Sequence, residues 1–539
     1  MLDLIAAADT NASICQAAEL PMSRLRRDKA RKRLSQMLSL AHDESFVIMV
    51  WAVDAAQSGR AQPASRFLSF PKEITEAKFG ERYFVFKWAL ETLINELLST
   101  KKKALPKGGP TRRLDCTNFA TVATCINTLR DLEDAEDGIV LSRFSALDIM
   151  HKIGHRQFEW QRGFFSYSQI YRTLTVFGGD LAKDYFKQNH DISIAEFFNC
   201  GFAFYALCQD LPGFKTSLDL TEINLSAHVR DRALSMLSAP LASVQQEATS
   251  VRQIAGRSTA YQRSVLRKTP ILQFGKDVAR APLPSLILQR ITIGLYYDLV
   301  GGGSRIWREI GAKFEDYCTE LAVAMLPKAK PSGSFKYRFN KGFDSPDLFL
   351  HDESGAACVV VECKAKKMSI AAKFSNDPLA SASDAFSEII KGVVQIWRFY
   401  SHCRRNPKIK TVNPESVGML LTLDPWLQMS HQLDRVLEHA RKIASQIDRH
   451  IIDEDCKPVL FCSIDDFENT LEIASEESLI GAIRVTSKPE FRGWFLFNVH
   501  QRTSVEERRN PYPFADRVAD IIPGWSDKAL ALSAPEDTV

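Results

Sequence analysis

The sequence predicts a mostly α-helical N-terminal region followed by a C-terminal α/β domain. Apolar residues recur at helical spacing through the first 300 residues, as in "RYFVFKWALETLINELLS" (82–99). The composition shifts at "GGGS" (301–304). Beyond it, short β-rich runs alternate with amphipathic stretches, the pattern of an α/β core.

The 539 residues are 45% hydrophobic and 25% charged, enough apolar material for a large core. At roughly 100–200 residues per domain the chain holds two to four domains. A net charge of +4 does not mark a nucleic-acid binder by total charge, so local basic runs are judged singly. The 11 cysteines form no CxxC pair and lie mostly in apolar stretches, which predicts buried thiols in a reducing compartment. The opening "MLDLIAAADTN" lacks the features of a signal peptide. No apolar run reaches the roughly 18–20 residues that span a bilayer. A cytoplasmic protein without a membrane partner is expected.

In chain order, residues 1–300 read as helical, with a buried helix over 194–211 and a basic, Pro/Gly-broken loop over 100–113. They form one or more domains for recognition, regulation or oligomerisation. Residues 301–490 read as the α/β domain: a helix over 305–326, a hairpin over 345–367, a helix over 383–402, a strand over 416–424, a helix near 429–449 and a strand over 457–465. Residues 491–539 read as an extension, disordered over its last ten or so.

The hairpin "SPDLFLHDESGAACVVVECKAKK" is the informative stretch. If Ser354-Gly355 makes a two-residue turn, Glu353 faces Ala356, and the same register sets Asp347 directly across from Glu362. A four-residue loop preserves that register; three or five residues shift it. Cross-strand partners share a face, and period two adds Lys364 and Lys366 to it. The other face (Leu348, Leu350, Val359, Val361, Cys363, Ala365) is apolar and must be buried. Two adjacent carboxylates repel unless protonated or bridged by a cation. Mg²⁺, which takes oxygen ligands and keeps water and phosphate in its shell, suits them, and the Cys363 backbone carbonyl can add an oxygen. Lys364 would orient a water beside the phosphate, and a nearby cation would lower its pKa toward that of a usable base.

Pro346-Asp347 followed by Glu362-Cys363-Lys364 resembles the signature of the PD-(D/E)xK nucleases, whose fold is restriction-endonuclease-like. The resemblance covers about 305–475. "GAKFEDYCTELAVAML" (311–326) is similar to the acid-bearing helix of Mrr-like and Holliday-junction-resolvase-like members, which makes Glu315 a further metal ligand, with Glu320 the alternative. "DAFSEIIKGVVQIWRFYSHCR" loosely resembles the RecB-like variant and offers Gln395, with Lys391, Arg398 and His402 on one stripe. The resemblance implies a mixed central sheet flanked by helices. It implies an endonuclease using Mg²⁺, with Mn²⁺ as a substitute, with Asp347, Glu362 and Glu315 on the metal, and Lys364 and Gln395 at the water. Lys366, Lys391 and Arg398 would meet nucleic acid, DNA being favoured and RNA not excluded, in a setting such as anti-phage defence or restriction. E-x-K alone is weak, since Glu76-Ala77-Lys78 and Asp455-Cys456-Lys457 also fit. The competing class is a non-catalytic binding protein that keeps the fold. A homo-oligomer is compatible with either.

Other signals are weaker. "SRLRRDKARKRL" (23–34) is a basic helix, and the segment before it faintly resembles a helix-turn-helix; a solvated face is the favoured reading. The aromatic run 156–174 reads as core rather than as a base-stacking platform. "GGG" (301–303) reads as a linker, and no G-x-x-x-x-G-K-[ST] phosphate loop occurs.

Overall fold

In the computed structural model, residues 2–104, 114–141, 146–254, 258–375, 377–426, 432–504 and 509–521 are described. Most of the basic loop 100–113 and the C-terminal tail lie outside them. The chain forms two compact units, one of Met1–Ala146, Arg156–Phe164 and Lys187–Leu295, the other of Leu147–His155, Phe165–Phe186 and Tyr296–Val539. The division is therefore not a single cut near residue 300: the second unit draws two segments from the helical half. No helix among the described residues is long and apolar enough to cross a membrane.

The first unit is α-rich. Helices Asp43–Gln57, Lys87–Ser99, Phe119–Leu141 and Ile194–Asp210 bury Phe46, Trp51, Leu93, Ile126 and Phe197. The basic run 23–34 lies within one continuous helix, Leu2–Ser39, which carries Pro21 inside it; no helix-turn-helix forms there. Arg31 of that run reaches Glu96 (2.7 Å) and Glu136 (3.0 Å). Trp160 and Phe164 of the aromatic run are core residues. The periodicity missed a small sheet of Gly213–Lys215, Val278–Arg280, Ile271–Phe274 and Ser238–Pro240, whose strands are only three or four residues long.

In the second unit, helix α1 (Tyr167–Val176) precedes α2 (Gly303–Met325). The glycines ahead of α2 are a tight turn rather than a linker. Gly303 has φ +77°, and a Cβ on Gly302 would stand 2.2 Å from Ile306. Strands β1 (Ser332–Gly333), β2 (Lys336–Phe339), β3 (Lys341–Asp344), β4 (Leu348–His351) and β5 (Ala357–Lys364) lead to α3 (Ser383–Arg405). Strand β6 (Val412–Thr422), helix α4 (Gln432–Ile447), strand β7 (Val459–Ser463) and helix α5 (Ile464–Ile473) follow. The main sheet has the order β7-β6-β5-β4-β1. It is mixed: β5, β6 and β7 run parallel, while β4 is antiparallel to β5 and to β1. Strands β2 and β3 form a separate two-stranded sheet.

Both faces of β4 and β5 are covered. Phe349 and Val360 join Leu420, Val393, Ile396 and Trp397 in a core beneath α3 and α4. On the opposite face, the free Cys363 thiol is hydrogen-bonded to the Cys318 thiol of α2. The face that carries the acids is thus as buried as the apolar one, which explains why β5 reads as a near-continuous apolar run. A buried ion-pair network anchors α2: Arg172 of α1 pairs with Asp465 and Glu468 of α5, and the Tyr317 hydroxyl donates to Glu468 at 2.5 Å. The C-terminal segment is fastened to α5, where Asp466 accepts from the Leu496 (2.7 Å) and Phe497 (3.1 Å) N–H groups.

The turn between β4 and β5 differs from the predicted one. The Asp352 N–H donates to the Ala356 carbonyl (2.9 Å), which encloses three residues, Glu353 to Gly355. Such a loop shifts the register by one. The ladder shifts back between Leu350 and His351, with Cys358 as the extra residue of a bulge, and continues as Leu350↔Val359, Phe349↔Val360 and Leu348↔Val361. The predicted register is therefore reached over Leu348 to Leu350 by a different route, but the ladder ends before Asp347. Gly355 closes the turn at φ +81°, a conformation that costs a residue with a Cβ about 1–2 kcal/mol. Gly355→Ala is expected to lower the unfolding free energy by about 1 kcal/mol, read as a shifted urea midpoint; an unchanged midpoint would contradict this turn geometry.

Candidate functional site

The site is built at the C-terminal end of β5. Glu362 and Lys364 project toward α3, because period two gives them the same side as Val360. Glu362 is only 2% exposed. Its Oε1 accepts from the Lys364 Nζ at 2.5 Å, and its Oε2 is buried with no hydrogen-bond partner. The Lys364 ammonium also approaches the Gln395 Oε1 of α3, at 3.4 Å.

Asp347 stands just before β4. It is not a ladder partner of Glu362. Its N–H donates to the Val361 carbonyl (3.0 Å), and its Oδ2 accepts from the Cys363 N–H (2.7 Å). The Cys363 carbonyl faces the same lateral direction as that N–H, toward Asp347. The Cys363 thiol points to the other face, where its hydrogen bond with Cys318 and burial hold its pKa well above the usual value. Glu315 lies on α2 one turn before Cys318. It is half-buried and interacts electrostatically with Asp347. Glu320 is exposed and lies 3.8 Å from Arg517, away from this group. Of the two acids offered by the helix, α2 turns Glu315 toward the strand end.

The electrostatics follow from burial. Desolvation raises the Glu362 carboxyl to about 7, with the Asp347 charge adding to it and the Lys364 ammonium opposing. Desolvation, then the Asp347 charge, raises Glu315 to about 7. Asp347 is raised by burial against the Cys363 N–H and Lys364. Burial alone would lower the Lys364 ammonium, but Glu362 and Asp347 outweigh it, and its pKa stands above the ordinary lysine value. Without a cation beside it, Lys364 therefore holds its proton. Among the described residues, no three His, Cys, Asp or Glu side chains converge on one metal-ligand position. The donor chemistry nevertheless fits a hard cation. Three carboxylates share one strand end, and the unpartnered Glu362 Oε2 is a buried oxygen whose isolation costs about 1–3 kcal/mol or more.

The basic residues expected at nucleic acid have unlike surroundings. Lys366 is exposed beyond the strand, and Lys391 is exposed and paired with Glu388 at 2.6 Å. Arg398, one turn beyond Gln395, lies 5.0 Å over the Phe343 ring. Lys367 turns inward, 5.4 Å over the Tyr296 ring, and burial lowers its pKa to about 8.

Sequence reasoning missed Gly392. A Cβ there would meet the Leu420 Cδ1 at 2.5 Å, the Lys364 Cε at 3.3 Å and the Glu362 Cγ at 3.4 Å. The absence of a side chain lets α3 close over the charged pair. A lone glycine inside a strong helical pattern was the available signal. No known protein family, curated protein or solved structure matches the chain.

Two measurements probe this packing. Gly392→Val is expected to destabilise the protein by about 1–3 kcal/mol through overpacking, read by urea denaturation; a neutral result would refute the close approach. The folded Glu315 and Glu362 carboxyls keep protons up to pH about 7, whereas an unfolded glutamic acid releases its own near about 4.3. Metal-free stability should therefore fall as pH rises from about 4.5 to 7. Glu315→Gln should raise the urea midpoint at pH 8 and change it little at pH 5. Equal shifts at both pH values would contradict a titrating Glu315.

Proposed function

We propose that the second unit is a metal-dependent nuclease of the PD-(D/E)xK type that hydrolyses phosphodiester bonds, with DNA as substrate. The observation that carries this reading is Glu362: a buried carboxylate with one oxygen on Lys364 and the other without a partner, beside Asp347 and Glu315. A structural ion pair needs neither the second and third acids nor a stranded oxygen. The mixed five-stranded sheet, with an antiparallel hairpin feeding a parallel βαβ unit, is compatible with a restriction-endonuclease-like core.

Asp347, Glu362 and Glu315 would hold Mg²⁺, with the Cys363 carbonyl as a further oxygen. When bound, the ion supplies charge stabilisation for the phosphoryl oxygens and acidifies coordinated water. Lys364, protonated and held by Glu362 and Gln395, serves as a donor that orients water and neutralises charge on the phosphate. Gln395 fixes the lysine from the helix side. The Cys363 N–H fixes one oxygen of Asp347, which presets the orientation of that carboxylate before any ligand arrives.

One observation favours the competing reading, a binding protein with a nuclease-like core: the acids are neighbours without converging on a metal position. Incubation of the full chain with circular and linear DNA, and with RNA, in Mg²⁺, Mn²⁺ or EDTA separates the two. The nuclease reading expects metal-dependent cutting that EDTA stops. Lys364→Ala and Asp347→Ala should each lower the rate by about 10²–10⁴-fold, the range for a positioned acid–base or electrostatic group. Binding without cutting in every metal would leave the non-catalytic reading.

A further inference from the structure

The β2–β3 hairpin was not legible as an element in the sequence. It pairs Lys336↔Asp344, Tyr337↔Phe343, Arg338↔Gly342 and Phe339↔Lys341, turning at Asn340 (φ +60°). Its alternation splits it into two unlike faces. Phe335, Tyr337, Phe339 and Phe343 are half-buried, whereas Lys336, Arg338, Gly342 and Asp344 are exposed on the other face; Lys341 is exposed too, but as the partner of Phe339 it lies on the aromatic side, 5.4 Å over the Phe343 ring.

An isolated two-stranded ribbon is at best marginally stable in water, so something must hold this one. The aromatic face docks on the C-terminal half of α3. The Phe339 ring stacks on His402 at 4.2 Å and 12°, and the Tyr337 hydroxyl lies 2.9 Å from the His402 Nδ1. Arg405 stands 4.6 Å over Phe339, and Arg398 stands 5.0 Å over Phe343. The base of the ribbon is clasped by the Phe335 N–H to the Ser345 Oγ (2.8 Å) and by the Ser345 N–H to the Phe335 carbonyl (2.9 Å). Ser345 is two residues from Asp347, so the ribbon is tied directly to the site.

The outer face is what remains available. Among the described residues Lys336 and Arg338 have no ion-pair partner, and Asp344 is the one acid on the ribbon. Opposite Arg338 stands Gly342, where a Cβ would meet nothing within 4 Å. Bare backbone beside an exposed guanidinium lets a phosphate approach closely. The B-form major groove, about 12 Å wide, admits a two-stranded ribbon, whereas the A-form major groove is deep and narrow.

We propose that the β2–β3 hairpin is a duplex-DNA-binding ribbon, seated in the major groove with Lys336 and Arg338 on the phosphates. This deepens the nuclease reading and rests on it for the position of the scissile bond. The test measures binding of the full chain, in EDTA, to a fluorescein-labelled DNA duplex, the matching RNA duplex and the single strand. The double variant Lys336→Glu/Arg338→Glu should bind the DNA duplex at least tenfold more weakly. Its log–log salt slope should be smaller by about 2, one unit per lost phosphate contact, with an unchanged unfolding midpoint. The unaltered chain should prefer the DNA duplex to the RNA duplex by at least tenfold. Unchanged affinity in the double variant, or equal binding of the two duplexes, overturns the proposal. Hairpin-dependent binding without cutting in any metal removes the nuclease reading and keeps the ribbon. Metal-dependent cutting with hairpin-independent binding does the reverse.

Discussion

The burial of Glu362 is the constraint on which the second unit turns. A carboxylate in the interior must be neutralised, paired or bridged, and this one is half paired. Everything around it answers to that condition. Lys364 takes one oxygen, the missing side chain at Gly392 lets a helix seal the pair, and Gln395 approaches the lysine from the same helix. The raised pKa values of Glu315, Glu362 and Asp347 are the same fact seen as a proton balance: each added negative charge makes the next harder to hold.

The carbon framework is arranged to make that burial rigid. Strand β5 lies between β4 and β6, so neither of its backbone edges is free over most of its length. Helix α3 presses on one face, and α2, tied to α5 through Tyr317 and Glu468, presses on the other. Side chains at the end of such a strand have little room to relax. A site whose groups are already oriented loses less freedom when a ligand is bound, which is the usual argument for building chemistry on a core strand.

The sequence was informative where periodicity and chemistry coincided. The helix over 383–402, the strand over 416–424 and the nearness of Asp347, Glu362 and Lys364 were legible because long apolar runs with sparse charges admit few arrangements, although Asp347 joins the strand end through the Cys363 N–H and not as the ladder partner of Glu362. What was not legible came from local geometry. The ribbon 336–344 alternates aromatic and basic residues over four-residue strands, too short for a clear period, and only the helix it rests on explains its aromatics. The helical segments 147–155 and 165–186 join the second unit through tertiary packing that no local pattern encodes. Lys391 and Arg398 share a helical stripe, yet neighbours decided their fates: Glu388 holds one at the surface and Phe343 receives the other.

The bulge at Cys358 separates two properties that a hairpin normally binds together. Turn length ordinarily dictates which residues meet at the far end of the strands. Here one extra residue inside β5 cancels the offset introduced at the tip, and the charged end is insulated from it. The tip and the bulge are therefore exchangeable: a chain that lengthened the turn by one residue and lost the bulge would present the same three side chains. An insertion at the tip and a deletion at the bulge compensate one another, so the place of the extra residue within 352–358 is free to shift while the spacing of the acids stays fixed.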